Sequence, residues 1–185
     1  MLKNLVSEQT RRLLAAVALG ATVAVMTGCA VAPSKPEAFV PATIASPVQH
    51  PQTVSVVTAG GLETNPASRL RLTNATMSEA LVAAINKHRV FSRVINGPGA
   101  DYVLAVTLVN GDFPSFGVSF TVKAELAWSL KKADGNAVWQ EVIKSEGTAT
   151  GGEAFAGTER VKIAMERAVR DNVAQGLAKV AALKL

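Results

Sequence analysis

The chain reads FGVSFTVKAELAWSLKKADGNAVWQEVIKSEGT from residue 116 to residue 148, and this stretch decides the fold. From Phe116 to Leu130 every even position is apolar, whereas the odd positions are mainly polar. That two-residue period is typical of a β-strand with one face packed and the other face in water. The stretch therefore predicts a long strand at the surface of a single hydrophobic core.

The same stretch predicts that this strand folds back on itself. Asp134-Gly135-Asn136 is a turn sequence typical of a β-hairpin, so residues 137–148 are expected to return antiparallel to the first strand. The alternation in the return strand is imperfect and indicates either a bulge or a strand covered on both faces. The alternation is broken because apolar residues lie on both faces: Val138 and Val142 on one, Trp139 and Ile143 on the other.

Patterns on the amino-terminal side of this hairpin predict two further strands and a helix. Residues 53–58 are dense in valine, and residues 102–109 form a mostly apolar run after a glycine-proline turn. Between them, Thr76 and Glu79 have the spacing of a capping box, and a helix follows that ends near Arg89.

A second helix is predicted after the hairpin. Thr158 is placed to cap a helix from Glu159 to about Ala182, whose apolar residues recur at helical spacing. Glycines at 147, 151, 152 and 157 predict a mobile loop before it. The order strand-helix-strand-strand-strand-helix indicates an α+β fold, a two-layer sandwich with an antiparallel or mixed sheet of about four strands and two helices on one face.

The amino-terminal segment has the layout of a signal peptide. Charged residues that include Lys3 and Arg12 precede an uninterrupted apolar run over 13–26, shorter than the roughly twenty residues that a spanning helix needs. The predicted leader, residues 1–28, carries +2 of the formal net charge of +5, which leaves an ordinary +3. The charge therefore gives no reason to expect nucleic-acid binding.

The only cysteine, Cys29, follows the apolar run directly in the sequence VMTGCA at 25–30. This segment resembles the bacterial lipobox, with Met26 where leucine is usual. The resemblance implies that the Cys29 thiol receives a diacylglycerol, that the leader is cleaved before it, and that the new amino terminus can be acylated as well. An aspartate directly after the lipidated cysteine would resemble an inner-membrane retention signal. The residue at this position is Ala30, so an outer-membrane location facing the periplasm is favoured.

Residues 29–51 are predicted to be a tether, and residues 52–185 a single periplasmic α+β domain. The tether contains five prolines without a helical or alternating apolar period. At about 3.1 Å per residue such a spacer would reach roughly 60 Å from the bilayer. A partner-binding segment is the alternative interpretation.

The polar residues offer little for catalysis. His50 lies in the predicted tether and His88 at the end of the first helix, and no motif pairs either with a nucleophile. Asp101, just before a strand, is interpreted as a turn residue that satisfies backbone groups. No catalytic residue, cofactor or metal site is predicted, and an enzyme is not expected. Three further carboxylates show no pairing in the sequence, namely Glu141, Glu146 and Glu153.

The aromatic residues divide into two groups. Alternation assigns Phe116, Phe120 and Trp128 to the core face of the long strand. Phe113, Phe155 and again Phe116 sit in or beside loops, which makes them candidates for exposed apolar contacts with a partner.

Three segments of the mature chain resemble the YajG-like bacterial lipoproteins: RLRL at 69–72, ADYVL at 100–104 and GNAVW at 135–139. The likeness extends loosely to auxiliary lipoproteins of ABC-type lipid transporters and to the amino-terminal domain of TolB. It implies an α/β sandwich in the cell envelope and, for the auxiliary lipoproteins, support of a phospholipid-transport complex.

The leading hypothesis is a non-enzymatic, membrane-anchored envelope lipoprotein that acts as an accessory or protein-binding module. Its expected partners are the membrane, through the lipid on Cys29, and an envelope protein. The first alternative is a lipid-handling auxiliary subunit of an envelope lipid transporter, and a hydrolase or transferase is the second.

Overall fold

The computed structural model describes residues 32–45, 48–65, 67, 70–114 and 116–185. The predicted leader, Cys29 and Arg69 lie outside these residues, so the signal peptide and the lipidation stay predictions. The described part forms one five-stranded sheet with two α-helices, which confirms the α+β fold.

The sheet has the strand order β2-β1-β3-β4-β5. Strand β1 (His50–Ala59) lies parallel to β2 (Phe91–Val94) and to β3 (Tyr102–Asp112). Strands β4 (Phe120–Lys132) and β5 (Ala137–Ala149) extend the sheet in antiparallel fashion. The sheet has five strands where about four were predicted, because β2 spans four residues and is too short to display an alternating pattern.

Helix α1 (Asn74–His88) begins earlier than the predicted capping box. Its N-cap is Thr73, whose side chain accepts a hydrogen bond from the Thr76 amide. Glu63, from the preceding loop, accepts a second hydrogen bond from the Asn74 amide at 2.7 Å. The first-turn amides are therefore satisfied from outside the segment that the sequence pattern covers, and the prediction that Thr76 starts the helix was wrong.

Helix α2 (Gly157–Ala181) ends where the sequence predicted but starts without the predicted cap. Ala156 occupies the N-cap position and makes no side-chain capping bond, so Thr158 lies inside the first turn. Among the described residues, neither helix combines the length and the apolar character that crossing a membrane requires.

Both helices pack on the same face of the sheet. On β1, the Thr58 hydroxyl donates to the Asn74 carbonyl of α1 at 2.8 Å. Thr58 pairs with Val106, which pairs with Trp128, so these three side chains share a face. The Trp128 ring meets α2 at Gly176, where an added Cβ would lie 2.3 Å from it. The space between helices and sheet is therefore filled by side chains.

A polar network fixes α2 to this covered face. The Trp128 indole N–H donates to Asn172 Oδ1 at 2.9 Å, and Asn172 Nδ2 donates to the Ile143 carbonyl at 2.8 Å. The Ser145 hydroxyl donates to the Ala168 carbonyl at 2.8 Å. Asn172 is fully buried, and these bonds satisfy both polar atoms of its side chain in the core.

The hairpin agrees with the sequence prediction except at its ends. Even positions from Phe120 to Leu130 are buried, but Phe116 is 89% exposed, so its assignment to the core face was wrong. Gly117 has φ of 151°, a value that residues with a side chain rarely adopt, and β4 begins only at Phe120. The register between β4 and β5 shifts after the pair Leu130 and Trp139, which places a bulge at Val138. A bulge was one of the two alternatives that the sequence predicted.

Part of the predicted tether is packed into the domain. The compact unit spans Pro33–Leu185, and a 3-10 helix at Pro36–Phe39 brings Phe39 to complete burial. Arg170 of α2 donates to the Ala38 carbonyl at 3.0 Å. A single buried phenylalanine on a short 3-10 turn leaves no periodic pattern, which is why the sequence predicted these residues to lie in the tether.

Candidate functional site on the open face of the sheet

Both histidines are used by the fold. His50 is 4% exposed, and its Nε2 lies 2.9 Å from the Val180 carbonyl of α2. Since a carbonyl only accepts, Nε2 is the protonated ring nitrogen. His88 Nε2 lies 3.1 Å from the Pro41 carbonyl, so this histidine ties α1 to the amino-terminal segment. The structure thus gives each of these residues a packing role.

Asp101 joins the starts of β1 and β3. Its Oδ2 accepts hydrogen bonds from the amide and the hydroxyl of Thr53, at 2.8 and 2.7 Å. The hydrogen bond from the Thr53 amide is the main cause that lowers the pKa of Asp101. Asp101 therefore satisfies backbone groups, as its position before a strand indicated.

Two of the three further carboxylates, Glu141 and Glu153, pair with basic residues of the surface. Glu141 accepts from Lys179 at 2.7 Å, and Glu153 forms an ion pair with Arg167. The hydrogen bond from Arg167 is the main cause that lowers the pKa of Glu153 to about 2. Within the described ranges, no three His, Cys, Asp or Glu side chains form a group that would hold a metal ion.

The face of the sheet opposite the helices is the candidate binding surface. Its centre is a shallow concavity of about 450 Å³. Two rows of paired residues cross it, one through Ala105 and Ser129 and one through Thr107 and Ala127. The floor is therefore made of small side chains. The lining includes Ala105, Thr107, Ala127, Ser129, Gln140 and Val142.

The rim of this open face is more polar than its centre. Lys144 forms an ion pair with Glu125 at 2.9 Å, and the hydroxyls of Thr121 and Thr148 lie 2.8 Å apart. Val57 and Val142 are each 52% exposed. The centre mixes apolar side chains, such as Ala127 and Val142, with polar ones, such as Thr107 and Gln140. Exposed apolar residues surrounded by polar ones are typical of protein interfaces.

A second exposed feature lies on two loops. Phe116 is 89% exposed and Phe155 is 103% exposed, as their position in or beside loops predicted. Phe113 is instead half-buried and packs against the core, so its prediction as an exposed contact was wrong.

Sequence reasoning missed Asn172 and the members of the open face on β1. Asn172 is a polar residue inside the apolar stripe of α2, which was a readable signal of a buried hydrogen bond. Val57 comes beside Ala105 only through the parallel pairing of β1 with β3. That pairing has no signature in the sequence.

No protein-family model matches the chain, and no curated protein matches it. Solved structures do resemble it. Protein XCC0632 of Xanthomonas campestris, described with the family model DUF330, has a TM-score of 0.58 at 17% identity, covering 80% of this chain and 91% of that one. Protein CT253 of Chlamydia trachomatis has a TM-score of 0.50 at 11% identity, covering 72% and 99%.

A minor lipoprotein of Acinetobacter baumannii has a TM-score of 0.50 at 13% identity, covering 72% of this chain and 93% of that one. At such identities the likeness shows a shared fold. The described domain therefore shares its fold with this bacterial lipoprotein.

Proposed function

We propose that the chain is the precursor of a non-enzymatic cell-envelope lipoprotein, whose domain binds another envelope protein through the open face of its sheet. The observation that carries this proposal is the concavity of small residues centred on Ala105 and Ala127, bordered by polar and charged pairs. The opposite face is closed by two helices, which leaves the open face as the larger regular surface for a partner.

The anchor in this proposal is Cys29, at the end of the lipobox-like segment. Each buried methylene contributes about 0.8 kcal/mol to membrane binding, so several acyl chains hold far more firmly than one. The shared fold with a bacterial lipoprotein supports the same assignment. The residue after the cysteine, Ala30, favours the outer membrane with the domain facing the periplasm.

The anchor is tested by Cys29→Ser. We expect the variant to appear in the soluble fraction or to remain uncleaved, because no thiol is available for the diacylglycerol. Recovery of a cleaved Cys29→Ser protein in the membrane fraction would contradict the assignment.

The binding surface is tested by site-specific photocrosslinking in intact cells. A photoreactive amino acid replaces Val142, which is half-exposed beside the concavity, and in a matched control it replaces Asp171, which is exposed on α2. We expect one defined protein adduct from position 142 and none of that mass from position 171. The same adducts from both positions, or none from 142, would contradict binding at the open face. Phospholipid captured at 142 in place of protein would favour the lipid-handling alternative.

A further inference from the structure

The packed start of the domain limits how far it can lie from a lipid anchor. The compact unit begins at Pro33, four residues after Cys29. An extended chain spans at most about 3.6 Å per residue, so the two Cα atoms are no more than about 14 Å apart. Helix α2 alone is roughly 38 Å long. If Cys29 carries lipid, as proposed above, the domain is held against the bilayer surface.

Three apolar side chains protrude from one end of the sheet, and we name them the aromatic tip: Phe116, Val118 and Phe155. Val118 is 77% exposed, and the two phenylalanines are more exposed still. The two loops that carry these residues are neighbours, because a Cβ added at Gly151 would lie 2.7 Å from Val118 Cγ1. The β5–α2 connection therefore passes beside Val118, and Phe155 follows four residues later on the same connection.

Hydrogen bonds hold the second of these loops in place. Arg160 Nη1 donates to the carbonyls of Ala154 and Phe155, at 2.9 and 3.0 Å. The Thr150 amide donates to Glu153 at 2.8 Å, and Glu153 is paired with Arg167. The backbone is thus fixed on both sides of an aromatic side chain that faces water. Leaving so large an apolar surface in water is unfavourable.

We propose that the aromatic tip inserts into the interfacial region of the same bilayer that holds the anchor, so that the domain docks on lipid at two points. Separate protruding side chains fit between lipid headgroups, whereas a stable protein interface needs a continuous patch of roughly 800 Å² per partner. Arg160 donates to the Phe155 carbonyl, so a positive charge lies beside this tip residue, which anionic headgroups favour. The short link to Cys29 keeps the domain that carries the tip close to the membrane surface.

The experiment uses the lipidated full-length protein in vesicles of phosphatidylethanolamine and phosphatidylglycerol. Lipid consumes the Cys29 thiol, so an introduced cysteine is the only free one in the chain. Phe155→Cys carries an environment-sensitive fluorophore, and Ala137→Cys, exposed at the opposite end of the β4–β5 hairpin, is the matched control. We expect a blue-shifted emission at position 155 and several-fold stronger quenching by lipid-borne nitroxide than at position 137.

Three outcomes would overturn the proposal. Equal, weak quenching at both positions in protein that floats with the vesicles would leave the anchor intact and remove the tip from the membrane. A blue shift at position 155 that requires added envelope extract would assign the tip to a protein partner. Protein that does not float with the vesicles would overturn the lipid anchor and, with it, the basis of this inference.

Discussion

Ala127 and Trp128 are neighbours in β4, and they show how differently the two faces of the sheet are built. Trp128 is 1% exposed, packs on Gly176 and donates its indole proton to Asn172. Ala127 points the other way, into a shallow concavity beside Val142. On the covered face, side-chain volume and hydrogen bonding are fixed by what lies opposite. On the open face nothing described lies opposite, so the small residues are available for a partner.

The largest expected effect comes from breaking the covered face at Trp128. Removal of the ring in Trp128→Ala leaves a cavity beside Gly176 and leaves Asn172 Oδ1 without its donor. We expect the free energy of unfolding to fall by about 3–5 kcal/mol. Urea denaturation followed by far-UV circular dichroism measures this loss. The control, Trp139→Ala, removes a half-buried ring on the edge strand. A loss at Trp128 no larger than that at Trp139 would refute the contrast.

A smaller effect is expected where β5 touches α2. A Cβ at Gly147 would lie 2.3 Å from the Ala164 carbonyl oxygen and 2.4 Å from the Ala168 amide nitrogen. Because both contacts are backbone, Gly147→Ala must push the helix away, at a cost of about 1–3 kcal/mol.

The matched control for Gly147 is Gly152→Ala. No atom lies within 4 Å of a Cβ at Gly152, so we expect stability to change little. Thermal melts of the two variants test this difference. Both glycines were predicted to lie in one mobile loop, and equal melting temperatures would support that prediction over the packing described for Gly147.

The sequence predicted the elements whose pattern is local and continuous. Alternation from Phe120 to Leu130 locates β4 and its buried face, and the apolar spacing locates most of α2. The same alternation continues in the sequence back to Phe116, although β4 begins only at Phe120. A period in the sequence therefore records which residues are apolar and not where a strand stops.

Features that depend on distant contacts could not be predicted in this way. Phe39 is buried because α1 and α2 flank the 3-10 helix, and no neighbour in sequence reports this. The centre of the open face was partly readable, since Ala127 and Ser129 occupy the outward positions of β4. Its extension to Val57 depends on strand register, which forms only in the folded sheet.

The smallest effect is expected from removing one of two ion pairs, one on the helix side of the sheet and one on the open face. Glu153 joins the loop before α2 to Arg167, and Glu125 pairs with Lys144, whose side chain is 72% exposed. An ion pair as exposed as that of Glu125 with Lys144 contributes about 0–1 kcal/mol to the free energy of unfolding. We expect Glu153→Gln to lower the unfolding midpoint at pH 7 more than Glu125→Gln, because Glu153 also accepts from the Thr150 amide.

The pH dependence tests the origin of that difference. The pKa of Glu153 is lowered from 4.5 to about 2, chiefly by the hydrogen bond from Arg167. A carboxylate whose pKa is lower in the folded state stabilises the fold fully when the pH is above its pKa in the unfolded chain. That stabilisation is lost as the pH falls through its pKa in the folded protein. The gap between wild type and Glu153→Gln should therefore be constant above about pH 5 and close between pH 4.5 and 2. A gap that persists at pH values below 2 would mean that the amide disturbs the loop by its shape, since the wild-type carboxylate is largely protonated only below its folded-state pKa of about 2.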